Sequence, residues 1–324
     1  METPKVLYSD TECWEYRCNT VKFSPIDCSL LAVPTGREPI RGGHLAMYDT
    51  MLDHTFGFNT PFHNMYDCTW SLTNPNLIII ATNAGGSYLM DISLCKNQRL
   101  QSFVRSNPTV TTSVDWHPEG GSFISASTDG IVNLWSIGQR KPQYTYNHRS
   151  HVSSVTWNPR DPTLYASTCF DGILYIRDIR SENAGITIQA DDANLTSCDW
   201  NWHGNTCIAT ASANRSCIKV WDLTQPNIPI RVFDEAHTAG VRKVKFSPHW
   251  HHQIASASDD NSVVLWDYGH NAKGPEITRY EHHTASVIGL DMSKQARDLL
   301  ASCGEGGFIH VWWHAQPKDG VLEF

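Results

Sequence analysis

A short apolar-aromatic pattern recurs seven times along this chain, and it constrains the fold more tightly than any other feature. It reads VKFSP from Val21, CTWSL from Cys68, VDWHP from Val114, VTWNP from Val155, CDWNW from Cys198, VKFSP from Val244 and LDMSK from Leu290. The third residues are Phe23, Trp70, Trp116, Trp157, Trp200, Phe246 and Met292, spaced by 47, 46, 41, 43, 46 and 46 residues. A period of roughly 40–45 residues is the length of one four-stranded blade. Each anchor leads into a short apolar run and a turn of small residues. A second run then ends in an aromatic or its substitute: HLAMYD, GSYLMD, GIVNLW, GILYIRD, CIKVWD, SVVLWD and FIHVWW. Alternating β-formers bounded by Gly and Asp predict strands, four per unit.

The expected fold is therefore all-β: a seven-bladed WD-repeat β-propeller with four-stranded antiparallel blades, residues 1–324 forming one domain. Such a ring must close. The segment from Phe308 to Trp312 is the third strand of the last blade, and an open edge there would leave backbone groups unpaired. Lys5 to Tyr8 is the expected closing strand, with Val321 to Phe324 as the competing source.

Composition narrows the function classes. Of 324 residues 40% are hydrophobic and 18% charged, which suits a soluble globular protein. A net charge of −8 argues against nucleic-acid binding, which needs a basic face. The longest apolar run, Leu77 to Ala81, is a buried strand and far too short to insert in a membrane. METPKVLYSD lacks the basic and apolar regions of a signal peptide. Ten cysteines without a Cys-x-x-Cys pair read as reduced cytosolic thiols. In that setting the acceptor patterns at Asn194 and Asn214 are chance matches.

Most of the conspicuous polar residues belong to the repeat. In such blades a His before the first strand, a Ser or Thr in the second, an Asp in the tight turn and a Trp in the third form one buried hydrogen-bond chain, because buried polar groups need partners. Blade six has the whole set: His237, Ser256 or Ser258, Asp260 and Trp266. Blade four keeps His148 and Asp171 but has Arg177 for Trp. Blade three keeps Asp129 and Trp135 with Asn107 for His, and blade five has Asp191 for His and Arg215 for Asp. Blade seven keeps His283 and Trp312. The cluster His249, His251 and His252 falls on an exposed connection with no Cys or carboxylate at ligand spacing, so no metal site and no cofactor are expected. Neither a phosphate loop, a nucleophile elbow nor a His-Glu-x-x-His pattern is present. The chain reads as an interaction module rather than an enzyme.

The wording of the repeats goes further than their spacing. LTSCDWN at Leu195 to Asn201, VRKVKFSPH at Val241 to His249 and EHHT at Glu281 to Thr284 resemble the receptors for the type-2 peroxisomal targeting signal, the peroxin-seven family of WD-repeat proteins. The long turn PTGREPIRGGHLAMYD and the aromatic approach FNTPFHNMYDCTW add to the likeness, which runs over essentially the full length. The resemblance implies a cytosolic receptor that shuttles to the peroxisome. Such a receptor binds an N-terminal amphipathic helix on its cargo, assisted by a co-receptor and by docking proteins. Recognition of this kind lays an apolar stripe into a groove.

The face built from the tight turns is the surface such receptors use. Repeat geometry places on it the residues before each turn Asp, namely Asn83, Thr128, Phe170, Asn214, Asp259 and Glu305. It also places there the residues before each first strand: Asn64, Val110, His151, Asn194, Gly240 and Ser286. Phe170 and Val110, with Phe62, are expected to floor a groove. Asp259, Glu305 and Glu38 form an acidic arc for the signal's basic residue. The chain departs from the family where His63, Asn64 and Val110 stand in place of acidic residues. The alternative reading is a scaffold subunit of a stable cytosolic or nuclear complex.

Overall fold

The structure, a computed structural model, describes residues 5–10, 17–36, 42–49, 54–60, 64–93, 99–105, 108–181, 185–192, 194–234, 237–269 and 276–314. Its regular elements are all strands, arranged in seven antiparallel sheets. Blade six shows the plan, with strands Val241–Phe246, Gln253–Ser258, Val263–Asp267 and Glu276–Tyr280 paired in that order. The second strand, QIASAS, is buried on both faces because it lies mid-blade between two neighbouring blades. Its Ala and Ser side chains suit that double-sided packing.

The core is not one centre but seven gaps. Each buried cluster takes residues from two consecutive blades, and together they fill every gap of the ring. Between blades five and six, Ala209, Ile218 and Val220 pack on Val244, Phe246 and Trp266. The gap between the last and first blades is filled alike, by Leu299, Ala301 and Val311 against Val21, Phe23 and Leu31. Lys5–Asp10 supplies the missing strand, antiparallel to Ile309–Trp313, with Val6 opposite Trp312 and Asp10 opposite Ile309. The N-terminal end thus closes the ring as expected. Val321 to Phe324 lies outside the described residues.

Blade one departs from the plan. Its innermost strand is split into Arg17–Cys18 and Lys22–Phe23, both paired to Leu30–Gly36. The register shifts by one residue across the break, so that Asn19 and Thr20 both fall opposite Pro34; Asn19 N donates to Pro34 O at 3.1 Å, and proline has no N–H to give in return. The Thr20 hydroxyl is buried without a hydrogen-bond partner.

The second residue of each repeated pattern faces the central channel. These residues form a ring of Lys22, Thr69, Asp115, Thr156, Asp199, Lys245 and Asp291. They also fasten blade to blade. Asp115 accepts from Trp157 N at 2.8 Å, Asp199 from Phe246 N at 2.8 Å, and Asp291 from Phe23 N at 2.9 Å across the closure. The anchor aromatics next to them are buried, and Trp70 Nε1 donates to Lys22 O at 3.1 Å.

Candidate functional site

The tight-turn face is assembled by one repeated backbone bond. In each of blades two to seven, the N–H of a turn residue donates to the carbonyl of the residue leading into the first strand. The pairs are Asn83 on Asn64, Thr128 on Val110, Phe170 on His151, Asp259 on Gly240 and Glu305 on Ser286, all at 3.0 Å. The two sets read from the sequence are therefore neighbours, pair by pair. Blade five is the exception: Ala213, not Asn214, makes the bond to Asn194, at 3.1 Å. That turn runs from Ser212 to Ile218, and its added length displaces Asn214 by one position.

Phe170 is 39% exposed, and its ring stacks on His151 with centroids 3.9 Å apart. Burial holds His151 below the ordinary histidine value, so the pair presents an apolar plate at neutral pH. Val110 is half-buried and lies two positions before the strand residue Thr112. Asn64 is half-buried on the next blade. His63, Glu38, Phe62 and Asn107 lie outside the described residues.

The acidic arc is already partnered. Arg242 Nε donates to both Asp259 oxygens, at 2.7 and 2.8 Å, and Arg17 reaches Glu305 at 3.0 Å. Neither arginine was singled out from the sequence. Arg242 occupies the second position of its innermost strand, and the same position in other blades holds Thr112, Ser153 and Thr196, whose hydroxyls bond backbone carbonyls. The signal was legible there: blade six places a long cation where blades three, four and five place small hydroxyls. The Arg242 and Asp259 side chains are 41% and 24% exposed, those of Arg17 and Glu305 49% and 41%. Pairs this exposed contribute only about 0–1 kcal/mol, so an incoming cation can exchange with them.

Beneath the face, blade six holds a continuous polar chain. Asp260 Oδ2 lies 3.0 Å from His237 Nδ1, His237 Nε2 lies 2.7 Å from Ser256 Oγ, and Trp266 Nε1 donates to Ser256 Oγ at 2.8 Å. Ser256 is the link, while Ser258 caps the carbonyl of Gly240. Blade seven repeats the inner half, with His283 and Trp312 both on Ser302 at 2.7 and 2.9 Å. In blade four His148 reaches Ser167 at 2.9 Å, but its Nδ1 has no hydrogen-bond partner, so Asp171 does not complete that chain. In blade five the exchange of acid and base preserves an ion pair, Arg215 lying 3.4 Å from the buried Asp191 with Lys219 at 3.5 Å. In blade three Arg105 takes Asp129 at 2.8 Å.

On the opposite face, His249 Nε2 is 3.0 Å from Ser293 O and His251 stacks on His203 at 3.9 Å. Among the described residues no three His, Cys, Asp or Glu side chains converge to hold a metal ion. No helix among them is long and apolar enough to cross a membrane.

The WD domain, G-beta repeat family matches residues 97–136, 140–178 and 227–267. The peroxisomal targeting signal 2 receptor of Mus musculus is 31% identical over 252 residues, 76% of this chain and 77% of that protein. Peroxisome biogenesis protein 7 of Arabidopsis thaliana is 34% identical over 302 residues, 90% of this chain and 94% of that protein. The chain belongs to this receptor family. Other relatives are matched at 22–26% identity, and the chain spans half their length or less. Histone-binding protein MSI1 of Saccharomyces cerevisiae is one, 25% identical over 217 residues, 63% of this chain and 50% of that protein. Against them, the peroxisomal receptor family is matched over most of both chains, so its likeness extends beyond the shared repeat.

Proposed function

We propose that this propeller is a peroxisomal import receptor that binds an N-terminal type-2 targeting helix of cargo proteins on its tight-turn face. The observation that carries the reading is the 34% identity spanning 94% of peroxisome biogenesis protein 7. The geometry supports it. Phe170 and His151 offer an exposed apolar plate, and Asp259 and Glu305 offer carboxylates whose present arginine partners are exchangeable. A co-receptor covers the outer side of the bound helix, and docking proteins receive the complex at the peroxisome. Localisation follows as cytosolic with a peroxisomal phase. The scaffold reading has weaker support, because the relative named for a complex, GATOR2 complex protein WDR24 of Homo sapiens, matches at 26% over 26% of its length.

The test is a pull-down with this chain as bait. Recovered proteins sharing a basic, leucine-containing N-terminal segment, released by competing signal peptide, support the receptor. Recovery of a fixed stoichiometric assembly that ignores the peptide overturns it.

A further inference from the structure

The central channel ends, on the face opposite the tight turns, in a cavity of about 130 Å3. One water needs only about 10–15 Å3, so the space admits a polyatomic ligand. The ring residues described above line it, with Lys294 and Trp202 at the rim.

The acceptors there are mostly engaged. Asp115 takes Trp157 N and Thr156 Oγ1, at 2.8 and 3.1 Å. Asp199 takes Phe246 N and Lys245 Nζ, at 2.8 and 2.7 Å, and Asp291 takes Phe23 N. One layer further in, Asp67 takes Ser113 Oγ at 2.8 Å and Val114 N at 3.2 Å. The donors differ. Among the described residues Lys22 and Lys243 have no hydrogen-bond or ion-pair acceptor, and Lys294 has only the Trp202 ring, 4.5 Å from its Nζ. Three lysines face three aspartates in this lining, but among the described residues two of the lysines lack a protein acceptor while only Asp291 keeps an oxygen without a donor, so the unused capacity is mainly cationic and suits an anion with several oxygens.

We infer that this cavity binds a small oxyanion of the phosphate class, free or as the end of a phosphomonoester, held by Lys22 and Lys294. Desolvation lowers the Lys294 ammonium; Asp291 and Asp115 oppose that, while Lys245 and Lys22 add to it. Lys243, outside the cavity lining, is likewise lowered by desolvation; Asp67 and Asp199 oppose that, while Lys22 and Lys245 add to it. An anion among these groups relieves the crowding of like charge. The chain as a whole carries −8, so bulk attraction does not account for such binding. The site lies at the other end of the channel from the cargo face and is independent of the function proposed above.

The experiment is phosphorus NMR of inorganic phosphate and of glycerol 3-phosphate titrated with the full chain, chloride holding the ionic strength constant. Saturable broadening of either phosphate is expected. K22Q and K294Q should each weaken it by about tenfold or more, the loss typical of one charge-assisted hydrogen bond, and K294R should retain it. Binding only of the monoester assigns the site to a phosphorylated small molecule, and equal binding assigns it to the oxyanion itself. No saturable binding, or constants unchanged in both glutamine variants, overturns the inference and leaves a hydrated channel. Lys294 sits at the rim, so K294Q decides the matter even if K22Q fails to fold.

Discussion

At the scale of single residues, the blade-six chain shows how a polar core is stabilised without a metal. Burial alone would raise the Asp260 carboxyl, but hydrogen bonds from His237 and Ser262 outweigh it and hold the group well below the usual carboxylate range. Removing one member strands the others, at about 1–3 kcal/mol. Asp260→Ala and Trp266→Phe are therefore expected to lower the urea midpoint while leaving peptide affinity per folded molecule unchanged; affinity lost at full stability would make these binding residues. The histidines give a second prediction. Burial lowers His148 to about 4, His283 to about 3 and His310 to about 4. An unfolded histidine titrates near 6.5. Below that pH the unfolded chain takes up protons that the folded chain refuses, so stability is present above about 6.5 and is lost as pH falls toward 4. Each group costs up to about 2 kcal/mol at pH 5. The urea midpoint at about pH 5 should lie below that at about pH 7.5, and His283→Gln should narrow the difference. A midpoint equal or higher in acid would refute the assignment.

At the scale of elements, one strand decides whether the ring is closed. Lys5–Asp10 is far from Ile309–Trp313 in sequence yet completes its blade. Deleting residues 1–10 should expose the edge of Ile309–Trp313, a row of unpaired N–H and C=O groups. We expect a fall in Tm of about 6 °C or more and concentration-dependent light scattering. A truncated chain that melts like the full one would mean that another segment closes the blade. Blade one already tolerates a broken inner strand at Pro34, because Leu31 and Val33 still fill the gap to the last blade.

At the scale of the whole molecule, the proposed binding of a signal helix on the tight-turn face calls, on its energetics, for two proteins. A signal helix of about nine residues would be only about 13 Å long. Two buried leucine-like side chains contribute about 1.5–3 kcal/mol each, and an exposed ion pair at Asp259 or Glu305 at most about 1. The Arg242 and Arg17 pairs reduce even that, since a cargo cation exchanges one partner for another. The total, roughly 3–7 kcal/mol, at best meets the low end of association costs of about 4–15, whereas micromolar binding needs about 8 net. An isolated peptide should thus bind weakly, and a co-receptor should tighten it at least about tenfold, about 1.4 kcal/mol. Changing Asp259 and Glu305 together to Lys should weaken the ternary complex, more at low salt than at high, because screening mutes exposed charges. Anisotropy of a labelled peptide with and without co-receptor measures both; tight binding by the propeller alone, indifferent to the charge reversals, would discard the composite site.

Blade number, strand order, ring closure and the blade-six residues from His237 to Trp266 were legible in the sequence. Each depends on a local period or on a residue type recurring at fixed offsets, and a repeat prints those on the chain seven times over. The tertiary structure alone decided who partners whom between blades. Arg17 on Glu305 and Arg105 on Asp129 join residues whose spacing differs from blade to blade, so no period announces them. The failure of Asp171 to reach His148, and the Ala213 bond where Asn214 was expected, turn on the reach of a side chain and the length of one turn. Closing the ring brought the channel lysines within range of one another. In the sequence Lys22 and Lys294 stand at opposite ends of the chain; in the fold they stand on adjacent blades, because the N-terminal strand pairs with the last one.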